Sequence, residues 1–162
     1  MIINPENVPS RTTSTYPDKF KPMVLGRVKQ ALGNAAGLQN FGVNLVTLAP
    51  GSCSALRHWH TRQDEFIYVI EGEVTLVTDT GAQILTPGMM AGFPAGEEDG
   101  HQLVNRSKSS VVYLEIGDRL RRGFAHRTPD DEVYYPDHDL IAQPGADGNT
   151  IFTHKDGTLY ES

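Results

Sequence analysis

One cysteine is all this 162-residue chain has. Cys53 can close no intrachain disulfide, so nothing points to an oxidising compartment. Positive charge is also scarce: 14 Lys and Arg face 20 Asp and Glu, a formal charge of −6. Phosphate backbones need clustered cations, which excludes nucleic acid as a main partner. Arg119, Arg121 and Arg122 form the one dense basic cluster and read as solvated surface. No apolar run approaches membrane-spanning length, and Met1–Glu6 lacks the basic and apolar regions of a secretory leader. These absences predict a cytoplasmic protein with no membrane partner.

What the chain does have is turn chemistry. Gly 16 and Pro 10 fit many short strands joined by tight turns. Pro5, Pro9, Pro17 and Pro22 mark an extended arm over 1–22, which could drape over a neighbour. In 24–36, Val24, Val28 and Leu32 follow helical spacing, but Gly26, Gly33 and Gly37 weaken a helix. We read a hairpin there, turning at Asn34–Gly37 into a strand Phe41–Leu48. Further strands are predicted at Arg57–His60, Glu65–Glu71, Glu73–Asp79, Ala82–Leu85, His101–Asn105 and Ser110–Gly117. Short strands at such intervals make an all-β antiparallel barrel or jelly roll. The chain divides into an arm and leading hairpin (1–40), a barrel (41–117) and an extension packed on it (118–162).

His58 and His60 stand at alternate positions, which places both imidazoles on one strand face. Glu65 and His101 lie in neighbouring strand-patterned runs. Three imidazoles and a carboxylate suit zinc or a first-row divalent ion. The same alternation turns Arg57 and Trp59 away from the ligand face. If Glu65 faces inward, Ile67 and Val69 line an apolar floor, and Phe66, Tyr68 and Ile70 pack outside. That outer stripe, with the arm, predicts a homodimer.

The spacing Gly51…His58-Trp59-His60…Glu65…Gly72, followed by Gly88…Pro94-Ala95-Gly96…His101…Asn105, resembles the two motifs of the cupin superfamily. Six residues separate Gly51 from His58 and four separate Gly96 from His101. Both gaps exceed the family pattern, and both fall in loop-like sequence. The resemblance implies a double-stranded β-helix with one divalent ion (zinc, manganese, iron or nickel) held by His58, His60, Glu65 and His101. Phe41–Asn44, Arg57–His60, Asp64–Phe66, Tyr135–Asp137 and Phe152–Gly157 resemble more closely single-domain bacterial cupins described as similar to sugar-phosphate isomerases.

Proton transfer needs a group near the ion that is not a ligand. Tyr113 and Glu115 share a strand face and qualify if that face looks inward. Glu98 and Asp99 qualify if the acidic loop Glu97–Asp99 folds over the mouth. Glu115 is preferred, because strand-borne groups are better positioned than loop-borne ones. Isomerisation, decarboxylation and dioxygenation of a small oxygenated metabolite share these ligands, and a non-catalytic binding or sensor module is the alternative. No inward-facing cluster of Lys or Arg is evident, which counts against a phosphorylated substrate.

Overall fold

Along Glu65–Glu71, Ile67 and Val69 are buried while Phe66, Tyr68 and Ile70 are exposed, so one face meets a core and the other solvent. The computed structural model describes residues 1–119, 131–145 and 149–160. Its strands are β1 (Ser10–Arg11), β2 (Arg27–Gln30), β3 (Phe41–Leu48), β4 (Trp59–His60), β5 (Glu65–Glu71), β6 (Val74–Thr78) and β7 (Gly81–Leu85). They continue as β8 (Met90–Phe93), β9 (Gln102–Val104), β10 (Val111–Asp118), β11 (Val133–Tyr134), β12 (Ile141–Pro144) and β13 (Thr150–Thr153). Among the described residues the α-helix is the single turn α1 (Leu32–Ala35), and no helix is long and apolar enough to cross a membrane.

The sheets are antiparallel throughout. One wall is six-stranded in the order β1-β2-β3-β10-β5-β8. The sheets β7-β6-β9 and β13-β12-β11-β4 join into the facing wall, because Cys53 bridges Val104 and His58 bridges His101. This is the all-β jelly roll expected. Between the walls lie Val46, Leu48, Ile67, Val69, Val74, Leu76, Leu85, Leu103, Val111 and Tyr113. Gly72 makes the β5–β6 turn at φ +78°, where a Cβ would come within 2.6 Å of the Ser110 carbonyl.

The leading hairpin forms as read, since β2 pairs with β3, and α1 fills its turn. Five strands exceed the expectation, β1 within the arm among them. β8 is masked in sequence by Gly92, a poor strand residue, and β11 to β13 are too short to show alternation. The arm packs on its own chain. Tyr16, Phe20 and Val24 form a second core with Leu56, Tyr135, Leu140 and Ala142, so arm and C-terminal strands hold each other. Arg121, Arg122 and His126 lie outside the described residues, whereas Arg119 donates to the Leu38 carbonyl at 2.8 Å.

Leu140 is fully buried at the centre of the second core. Leu140→Ala should lower unfolding stability by about 2–5 kcal/mol in urea titration and expose the arm to protease. A loss under about 1 kcal/mol would contradict an arm held by this cluster.

Candidate metal centre

His58 and His101 face each other across a reciprocal backbone pair, His58 N to His101 O at 3.1 Å and His101 N to His58 O at 2.8 Å. That pairing puts both imidazoles on one side of the wall, with ring centroids 4.7 Å apart. His60 follows two residues on and adds the third. Glu65, the first residue of β5, reaches across from the opposite wall. Its Oε2 lies 2.9 Å from His101 Nε2, 3.5 Å from His58 Nε2 and 3.6 Å from His60 Nε2.

The outer ring nitrogens decide what those Nε2 atoms are. His58 Nδ1 lies 2.8 Å from the Leu56 carbonyl and His60 Nδ1 lies 2.5 Å from Asp131 Oδ2. Both partners only accept, so each Nδ1 carries a proton and each Nε2, a lone pair in the neutral ring, is the atom turned toward Glu65. Lone pairs do not rest against a carboxylate oxygen without a positive centre, a proton or a metal ion, to reconcile them. Donor atoms of His58, His60 and Glu65 all lie within 4.8 Å of one another, a group able to hold a metal ion. Two imidazoles and a carboxylate fit a divalent transition metal or zinc.

Local electrostatics agree. Burial would push the Glu65 carboxyl up, but hydrogen bonds from His101 and His58, with nearby imidazole charge, hold it well below its usual range. Burial also pulls His60 down, yet Asp131 and Glu65 outweigh it and raise the imidazole. His101 is lowered, chiefly by burial. Its ring stacks on Phe93 at 3.7 Å, and its Nδ1 is buried with no partner.

These groups open into a cavity of about 260 Å³ that Tyr113 and Glu115 also line, so the polar face of β10 looks inward. Lys29 Nζ holds Glu115 at 2.7 and 3.0 Å, and Asn44 donates to it at 3.2 Å. Glu98 is exposed and does not line this cavity. Glu97 and Asp99 border an adjoining one of about 240 Å³ shared with His60 and His101, and Asp99 accepts from the Asp79 amide at 2.7 Å. Arg57 and Trp59 turn away as expected. Arg57 pairs with Asp79 and Asp137, and Trp59 stacks on Tyr134.

Two features escaped the sequence reading. Asp131 sits 71 residues from His60, and no spacing signal links them. The second is a correction: Arg11, Arg27 and Lys29 line the cavity, so inward-facing cations do exist. β2 pairs Arg27 with Leu48 and Lys29 with Val46, both core residues, which aims the charged face inside. Attention to Val24, Val28 and Leu32 had concealed the alternation of Arg27 and Lys29.

Residues 44–117 match the family model for the cupin domain. A sugar phosphate isomerase of the cupin superfamily from Silicibacter pomeroyi is 40% identical, covering 100% of this chain and 98% of its own, with a TM-score of 0.90. A protein from Acidithiobacillus ferrooxidans, provisionally named a sugar phosphate isomerase, is 26% identical over 88% of this chain and 85% of its own, with a TM-score of 0.73. The polyketide cyclase RemF from Streptomyces resistomycificus shares the fold at 19% identity, covering 84% of each chain with a TM-score of 0.63. No curated protein matches the chain.

Asp131 fixes the tautomer and angle of His60, and such partners typically matter by roughly 10–100-fold in metal affinity. Asp131→Asn should weaken zinc by about that factor in chelator competition. Unchanged affinity would contradict an orienting role for Asp131.

Proposed function

This chain belongs to the cupin superfamily, and we propose that it is a metal-dependent enzyme that isomerises a small hydroxy-carbonyl metabolite of the sugar-phosphate type. The carrying observation is one cavity in which the His58, His60 and Glu65 group is joined by a second carboxylate, Glu115, that is not among its donors. The likeness to the Silicibacter protein over the whole chain supports the choice of reaction. His101 is taken as the fourth ligand, since its Nε2 already meets Glu65.

An ion held by His58, His60, Glu65 and His101 would supply Lewis-acid polarisation of a carbonyl, which would acidify the adjacent C–H. Glu115 takes that proton on a carboxylate oxygen and returns it to the neighbouring carbon. The hydroxyl proton passes to the former carbonyl oxygen in the same exchange, so carbonyl and hydroxyl exchange places and no oxidant or reductant is consumed. Lys29 and Asn44 hold Glu115 in a fixed orientation. Tyr113 is no base: burial drives its hydroxyl well above the usual range, so it remains a hydrogen-bond donor. The walls exclude bulk water, which strengthens each electrostatic contact with the substrate.

The outer face of the six-stranded wall is assigned to a second copy of this chain. Phe66, Tyr68 and Ile70 lie exposed there, beside the unpaired edge of β8 where Met90 is also exposed. An apolar stripe along an open strand edge suits an isologous pairing of two such edges. Light scattering at micromolar concentration should give twice the chain mass, and monomer mass would contradict the pairing.

For the reaction, a nuclear magnetic resonance screen of aldose and ketose phosphates should find turnover that a chelator abolishes. Glu115→Gln should lower that turnover by about a hundredfold while metal content holds. Full activity in the variant would exclude Glu115 as the proton carrier. Binding without any turnover would leave a sensor module instead.

A further inference from the structure

Arg27 is a buried cation that makes no ion pair among the described residues. It is 9% exposed, and among the described residues its one side-chain hydrogen bond runs from Nη1 to the Ser54 carbonyl at 2.5 Å. Buried guanidinium groups are ordinarily paired with an anion. The neighbouring charges do not supply one. Lys29 is answered by Glu115 at 2.7 Å, and Glu65 stands among the histidines. Arg11, opposite Lys29 in the β1–β2 register, is exposed, makes no ion pair among the described residues and lines the same cavity.

An independent observation marks the same place. Tyr113 is fully buried, lines the cavity, and its hydroxyl has no hydrogen-bond partner among the described residues. Ser54, the residue whose carbonyl Arg27 grips, comes near, but its hydroxyl accepts from the Leu103 amide and closes no well-formed bond with Tyr113. Tyr16, Arg27 and Tyr113 all line this one cavity. A buried donor without an acceptor carries a desolvation cost that an arriving oxyanion removes.

We propose that the Arg27 end of the cavity is an oxyanion subsite, in which Arg27 and the Tyr113 hydroxyl grip a phosphate monoester whose other end reaches the histidines. This rests on the reading of the cavity as the substrate site. A guanidinium fork matches phosphate oxygens with two parallel hydrogen bonds, and the neutral hydroxyl adds a third. With Lys29 cancelled by Glu115, Arg27 supplies a buried positive charge and Arg11 a second, solvent-exposed one, together the complement of a dianion. A monoanionic carboxylate would answer only half of that charge.

The test titrates inorganic phosphate and acetate calorimetrically into the full-length protein, chelated and metal-loaded, with metal content measured separately. Chelated wild type should bind one phosphate, and more tightly than acetate. Arg27→Met should weaken phosphate by roughly 10–100-fold, the range for a lost charge-assisted hydrogen bond, at unchanged metal content. Phosphate affinity unchanged in Arg27→Met, or acetate binding as tight as phosphate, would overturn the assignment. Should Arg27→Met fail to fold, Tyr113→Phe decides. It removes only an oxygen that has no partner, and it should cost phosphate several-fold; unchanged affinity overturns the subsite. Because chelated protein is titrated, the result stands apart from whether the metal-dependent reaction is found.

Discussion

Everything around the barrel mouth depends on one carboxylate oxygen. Glu65 Oε2 is approached by three imidazole nitrogens, two of them turned so that lone pairs face it. The arrangement is stable only with positive charge at its centre. The protein maintains it by holding each outer nitrogen elsewhere: Leu56 lends a backbone carbonyl to His58, and Asp131 lends a carboxylate to His60. Asp131 is itself tied by the Arg62 amide at 2.8 Å, so the orienting contact is fixed to the backbone. The first contacts and their supports were therefore built together.

The fold explains why these groups meet. His58 and His101 are neighbours because the His58 bridge joins two short sheets into one wall, and Glu65 reaches them from the first position of β5 in the six-stranded wall. Ile67 and Leu103 line the same cavity as the ion group and Arg27. The second core seals the side: Tyr16 and Tyr135 pack edge to face at 5.7 Å, and Tyr135 stacks near His58 at 5.8 Å. Arg57 clamps this side from outside through Asp137. Arm and C-terminal strands thus serve as a wall of the site as well as a source of stability.

How much was legible in the sequence follows from the range of the forces. His58 and His60 announce themselves because alternation is local, and Glu65 follows by parity once Ile67 and Val69 are read as core. The inward face of Tyr113 and Glu115 needed the pairing of β10 with β3 to decide it. Arg27 was hidden for the same reason, since its direction depends on Leu48 opposite, not on its own neighbours. Asp131 was invisible because contact across 71 residues leaves no trace in spacing. Gly92 disguised β8 by lacking a side chain to alternate.

The central claim is that charge at Glu65 Oε2 is a metal ion and not a proton. A crystal structure of the protein soaked with a stoichiometric divalent ion, with anomalous scattering collected at that metal's edge, tests it most directly. The account predicts one anomalous peak per chain, bound by the Nε2 atoms of His58, His60 and His101 and by Glu65, with Nδ1 of His60 still on Asp131. An anomalous peak elsewhere, or none while Glu65 keeps its hydrogen bond to His101, would contradict it.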